Sequence, residues 1–176
     1  MVNANKKLHF TTNKVVISNP HLLNPVVNSR YENSRAKYGT TIIISKDDID
    51  TLNKINSAIN GIIDSNNQLP LVNFKSPLKD GDKDYPSDKL YEHSMYMYVS
   101  SVLQPNVVDH KVKKILFRSA EFETGTYSKV SLEPAHYTID DKLVVVFELI
   151  NVQILKGNKL LEMRSTAEED FAVEED

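Results

Sequence analysis

The sequence predicts a mainly β, OB-fold-like Greek-key barrel with one embedded helix and a disordered acidic C-terminal tail. Three observations carry this. Short segments of strand periodicity recur between Asn-Pro and Gly-Asn turn signals. A single stretch has helical periodicity, and the last twelve residues hold six acidic side chains and no Lys or Arg. SH3-like and ferredoxin-like arrangements use the same elements and stay open on pattern alone.

The first strand is expected at 14–18 (KVVIS), stopped by Asn19-Pro20 and Asn24-Pro25. The second, 35–45 (RAKYGTTIIIS), puts Tyr38, Thr40, Ile42 and Ile44 on one face and Arg35, Lys37 and Thr41 on the other. The helix is expected over about 46–63. Ser45 precedes Lys46-Asp47-Asp48, which sets acidic groups at the positive end of the helix dipole. Ile49, Leu52, Ile55, Ile59 and Ile62 then form one apolar stripe suited to core packing, and Gly61 with 64–67 (DSNN) ends it.

Residues 68–89, rich in Pro, Asp and Lys, read as a long surface loop. Beyond Tyr91, Met95, Met97 and Val99 alternate with Ser94, Tyr96, Tyr98 and Ser100. After a turn at Gln104-Pro105-Asn106, residues 107–115 continue the β region and carry Lys111, Lys113 and Lys114. In 127–132, Ser128, Val130 and Leu132 oppose Tyr127, Lys129 and Ser131. The run 142–155 (KLVVVFELINVQIL) is apolar on both faces and reads as the central strand, with a turn at Gly157-Asn158. No segment repeats.

A chain of 176 residues can bury a core without disulfide or metal staples. The expected organisation is a domain, 1–164, followed by a flexible tail, 165–176. The net charge of −3 hides an asymmetry, because the domain holds 21 basic and 18 acidic groups while the tail is −6. A basic body with an acidic end points to nucleic acid or an interaction tail. With no cysteine, disulfides, thiolate metal sites and a cysteine nucleophile are excluded. No apolar run approaches the roughly 18 residues of a membrane span, and the polar N-terminus does not resemble a signal peptide, so a cytoplasmic location is expected.

Catalytic patterns are scarce. Asp80-Gly81-Asp82-Lys83-Asp84 fails the EF-hand spacing, since Tyr85 and Tyr91 stand where Gly and Glu are needed. A carboxylate–metal nuclease built on Asp80, Asp82 and Asp84 is the enzyme alternative. The histidines His9, His21, His93, His110 and His136 are scattered, and no phosphate-cradling or nucleophile-elbow motif occurs. The chain is therefore expected not to be an enzyme and to need no cofactor or metal. What remains is aromatic rings interleaved with cations on strand faces, the chemistry that single-stranded nucleic acid uses. Tyr96, Tyr98 and Tyr127 are the candidate stacking platforms. Arg35, Lys37, Lys111, Lys113, Lys114 and Lys129 are the candidate phosphate track, with Arg118 nearby in sequence.

Four segments carry a family resemblance: PLKDGD (77–82), SAEFETGTYSKVSL (119–132), INVQILKGNKL (150–160) and STAEEDFA (165–172). In order and spacing they resemble bacteriophage single-stranded DNA-binding proteins built on an enlarged OB fold, over about residues 36–176. Two departures stand out: Ile150 precedes Asn151 where a second asparagine is expected, and the tail runs past Phe171 to Glu174-Glu175-Asp176. The resemblance implies a protein of phage replication or recombination that coats single strands without sequence preference, in the host cytoplasm. It also implies a tail (Glu168, Glu169, Asp170, Phe171, Glu174, Glu175, Asp176) that recruits phage or host replication and recombination proteins. A homodimer stays open. An adaptor or virion component working through the tail alone is the binding-module alternative.

Overall fold

The structure, a computed structural model, describes residues 9–27, 34–66, 74–115 and 122–175. Arg118 and Asp176 lie outside the described residues. In chain order the elements are β1 (Phe10–Thr11), β2 (Val15–Val26), β3 (Lys37–Ser45), α1 (Ile49–Ser65), β4 (Lys79–Asp80), α2 (Gly81–Asp84), β5 (Ser94–Ser101), β6 (Asn106–Val108), β7 (Thr126–Ile139), β8 (Lys142–Asn158), α3 (Lys159–Glu162) and α4 (Ala167–Asp170).

β2, β3 and β5 form an antiparallel meander, and β8 then runs parallel to β5. β7 pairs antiparallel with β8 along one edge and with β2 along the other, so the sheet closes on itself. Counting β2, β3, β5, β7 and β8 as strands 1 to 5, the circuit runs 1-2-3-5-4-1, a five-stranded Greek-key barrel. The short β1 extends the line of β2 along β7, and β6 extends that of β5 along β8. β4 adds to the start of β5.

Alternation fills the barrel. Ile17, Ile42, Ile44, Met97, Val99, Leu132, Phe147 and Leu149 are almost fully buried in one core, which α1 completes with Ile55, Ala58, Ile59 and Ile62. The helix starts later than the sequence reading placed it. Asp48, not Ser45, is the N-cap, its carboxylate accepting from the Thr51 N–H at 3.2 Å. Ile49 is therefore exposed rather than part of the stripe, and Gly61 lies inside a helix that runs on to Ser65, where Asn66 caps it.

Three further expectations change. β2 does not stop at Ser18 but continues through both Asn-Pro pairs to Val26. Register shifts flank His21, which absorbs the prolines' missing N–H groups as bulges. β6 ends at Val108, and 109–115 is a tight loop in which Asp109 accepts from the N–H groups of Lys111 and Lys113. The tail, expected to be disordered, carries one helical turn. Thr166 and Glu169 form a reciprocal capping box there, and the turn is exposed throughout.

Candidate nucleic-acid interface

An open groove of about 790 Å³ crosses the outer face of β3 and β5. Its floor is Thr41, Tyr98 and Ser100, with Val146 of β8 beside them. One wall comes from β2 and the start of β3, with Asn19, His21, Val26, Val27, Ser34, Arg35 and Lys37. Tyr137 and Ile139, from the end of β7 that pairs with the start of β8, form the other. Large apolar side chains are conspicuously wet here: Tyr98 is 58% exposed, Tyr137 47% and Ile139 53%, and Val26 and Val27 are also exposed. Among the described residues neither Arg35 nor Lys37 has an acidic partner at ion-pair distance.

Gly39 sets how Tyr98 lies. A Cβ at Gly39 would stand 2.5 Å from the Tyr98 hydroxyl oxygen and 2.7 Å from the Val99 carbonyl oxygen, so only glycine lets the phenol lie across the neighbouring strand. Desolvation there pushes the Tyr98 hydroxyl above its usual pKa while the ring's other side stays in solvent. His21 of β2 pairs with Gly39 of β3, which brings the imidazole to the same stretch of groove.

Tyr96 and Tyr127, expected as open platforms, are corrected by the structure. Both are on the outer face of the sheet, but other segments cover them. Register places Tyr127, Val16, Ile43 and Tyr96 in one row across β7, β2, β3 and β5. Leu90, Tyr91 and Leu160 pack onto that row as a second small core. The Tyr96 ring meets Tyr85 and Tyr91 edge-on at 5.4 and 5.3 Å, and its hydroxyl donates to Asp84 at 2.7 Å. Burial, reinforced by Asp84, drives its pKa far upward. The Tyr127 ring lies against Gly157, which needs its φ of +98°, with the Lys14 ammonium 4.4 Å from its centroid.

The Tyr127 hydroxyl donates to Glu162 at 2.6 Å. Burial, then Glu162, pushes its pKa up to about 12. A raised folded-state pKa favours the protonated phenol, so its contribution is whole below the ordinary tyrosine value of about 10 and is lost as pH rises through about 12. Thermal melts between pH 8 and 12 are expected to show a plateau and then a decline. Tyr127→Phe should flatten part of that decline; an unchanged profile would contradict the assignment.

The proposed phosphate track divides. Arg35 and Lys37 enter the groove, whereas Lys111, Lys113 and Lys114 sit on the loop after β6. Lys129 lies on β7 opposite Gln153, whose amide reaches that loop's Asp109 and His110 carbonyl oxygens. None of these four lines the groove. Tyr137, Ile139, Val26, Val27 and His21 were missed by sequence reasoning. Tyr137 and Ile139 alternate with His136 and Thr138, a two-residue period that was readable but gave no sign of which face was wet.

The Asp80, Asp82 and Asp84 carboxylates serve the fold. Lys46 binds Asp80 at 2.8 Å and Asp82 at 2.5 Å, holding both below the usual carboxylate range, and Asp84 takes the Tyr96 proton donor. Among the described residues no three His, Asp or Glu side chains converge as metal ligands. No helix there is long and apolar enough to cross a membrane.

A 1-2-3-5-4-1 barrel with an aromatic and cationic groove on its second and third strands defines the OB class, whose ligands bind on that face. Within that class the chain matches, over residues 8–176, the family described as the Enterobacter phage Enc34 ssDNA-binding protein, and it belongs to that family. Among solved structures it is similar to the single-stranded DNA-binding protein from bacteriophage Enc34 in complex with ssDNA. The identity is 21%, over 85% of this chain and 87% of that one, with a TM-score of 0.63. It is also similar to gp2.5, a single-stranded DNA-binding protein encoded by bacteriophage T7, at 16% identity over 98% and 99% of the two chains, with a TM-score of 0.62. A comparison with curated proteins finds no match.

Proposed function

We propose that the protein binds single-stranded DNA without sequence preference in the β3–β5 groove, during phage DNA replication or recombination in the host cell. The observation that carries this is the gathering of Val26, Val27, Tyr98, Tyr137 and Ile139, all exposed, beside Arg35 and Lys37. Exposed apolar surface of this kind marks a binding site rather than a solvated wall. Bases stack on tyrosine and pack on the aliphatic groups while the two cations meet phosphates. Family membership and the ssDNA complex of the Enc34 protein support the reading.

The test is titration of labelled oligo-dT and of a duplex of equal length over a range of salt. Two phosphates met by Arg35 and Lys37 correspond to a log–log salt slope of about −1.4, from −0.7 per phosphate on a single strand. A steeper slope that falls by about 0.7 in Lys113→Ala would add the loop lysines to the track. A flat salt response, or duplex affinity equal to that for oligo-dT, would overturn the reading.

The acidic tail is the second part of the proposal. Glu168, Glu169, Asp170, Glu174 and Glu175 flank an exposed Phe171, and this segment serves to dock replication and recombination proteins. Removing 165–176 is expected to leave the melting transition in place and to abolish capture of such partners. It should also tighten oligo-dT binding at low salt, because a tethered polyanion competes at high effective concentration. Partner capture that survives the truncation would exclude the docking role.

A further inference from the structure

We propose that His21 is a third phosphate contact in the groove, made when its imidazole is charged, so that single-strand binding strengthens as pH falls. The proposal rests on single-strand binding in the groove. His21 is exposed and is the one histidine among the described residues that lines it. It stands on the same β2–β3 wall as Arg35 and Lys37. Its partner in register is Gly39, two residues along the strand from Lys37 and therefore on the same face. Among the described residues neither ring nitrogen of His21 has a hydrogen-bond or ion-pair partner.

The space over Gly39 belongs to the Tyr98 phenol, whose hydroxyl oxygen lies 2.5 Å from where a Cβ would stand. A nucleotide stacked on that ring is thus flanked by His21 on β2. Its backbone is drawn to the wall that carries Arg35 and Lys37, and His21 is on that wall. A charged imidazole there donates to a phosphate oxygen, a charge-assisted hydrogen bond.

The groups around His21 set the sign of the effect. Arg35 and Lys37 repel a charged ring in the free protein, while Glu123, which lines an adjoining cleft that His21 shares, attracts it. Tyr98 and Tyr137 face the groove from β5 and β7, and desolvation keeps the Tyr98 hydroxyl a neutral donor. A phosphate set among three cations relieves their repulsion, so it favours the charged ring. Histidine is the side chain that changes charge between pH 5 and 8. A ligand that prefers the protonated form binds more tightly as pH falls, and its binding takes up a proton.

The experiment uses the full chain as wild type, His21→Gln and His21→Lys, with oligo-dT at pH 5.5 and pH 8.0 over a range of salt. Wild type should gain roughly tenfold in affinity at pH 5.5 in low salt. Its log–log salt slope should steepen by about 0.7, the equivalent of one phosphate. His21→Gln should lose the response to pH, and His21→Lys should show the steeper slope at both pH values. Thermal melts of both variants should stay near wild type, because the side chain is exposed, which separates a lost contact from a lost fold. A wild-type slope that is the same at both pH values would overturn the assignment. So would a gain on acidification that persists in His21→Gln. If wild type binds oligo-dT at neither pH, the groove reading fails first and this proposal falls with it.

Discussion

Replacing Tyr98 and Tyr137 together by alanine is expected to weaken oligo-dT binding by about 2–6 kcal/mol, twice the ~1–3 kcal/mol of a single base–aromatic stack. The two rings enter the same groove from different strands, Tyr98 from β5 and Tyr137 from β7, and both are about half exposed. Losing a ring removes no phosphate contact, so the salt slope should stay where the cations set it. The measurement is a fluorescence titration at several salt concentrations, with a thermal melt of each variant as control. Exposure of both rings predicts that the melt barely moves. A double variant that binds like wild type would show that bases do not stack in this groove. Tyr96→Ala and Tyr127→Ala provide the contrast: their rings fill the second core, so stability rather than affinity should drop.

Phe147→Ala is the largest expected effect on the fold. The ring is 2% exposed at the centre of β8 and meets Phe10 edge-on at 6.1 Å. Truncating a buried phenylalanine costs about 3–5 kcal/mol through lost transfer energy and the cavity left behind. That is a large part of the stability of a domain this size, typically about 5–15 kcal/mol. Denaturant melts should show the midpoint falling with little change in slope. Its neighbour Val146 points the other way, to the groove, and Val146→Ser should melt close to wild type. Equal destabilisation by the two substitutions would contradict the inside–outside assignment of β8.

That assignment shows how far the sequence could be read. The alternation through Met97 and Val99, and through Ser128, Val130 and Leu132, names the core faces correctly, because one strand's period suffices. The stripe at Ile55, Ile59 and Ile62 likewise places α1, and the six acids announce the tail. β8 is harder. Its two apolar faces suggest burial on both sides, yet the outer face is the edge of a groove. The outward direction of Tyr96 and Tyr127 was legible, but their covering was not, since Leu90, Tyr91 and Leu160 arrive from distant segments. Lys111, Lys113 and Lys114 followed a valine pair and so looked like strand, whereas the Asp109 side chain folds them into a loop. Local period reports which way a residue faces; only tertiary contacts decide what it meets there.

The seam between β2 and β7 has a consequence for how the chain acquires its shape. It pairs Val15↔Ser128 and Val16↔Tyr127 and is extended by β1 along β7 and by the Gly125 N–H to the Ile17 carbonyl at 2.8 Å, whereas β7 and β8 pair as neighbours along nearly their whole length. The hairpin is contiguous in the chain and can zip early, with little loop entropy to overcome. The seam joins segments far apart in the chain, β2 from Val15 and β7 from Thr126, the kind of long-range pairing that slows folding. Barrel closure is accordingly expected to be the late, rate-setting event, so a substitution that weakens this seam should slow refolding.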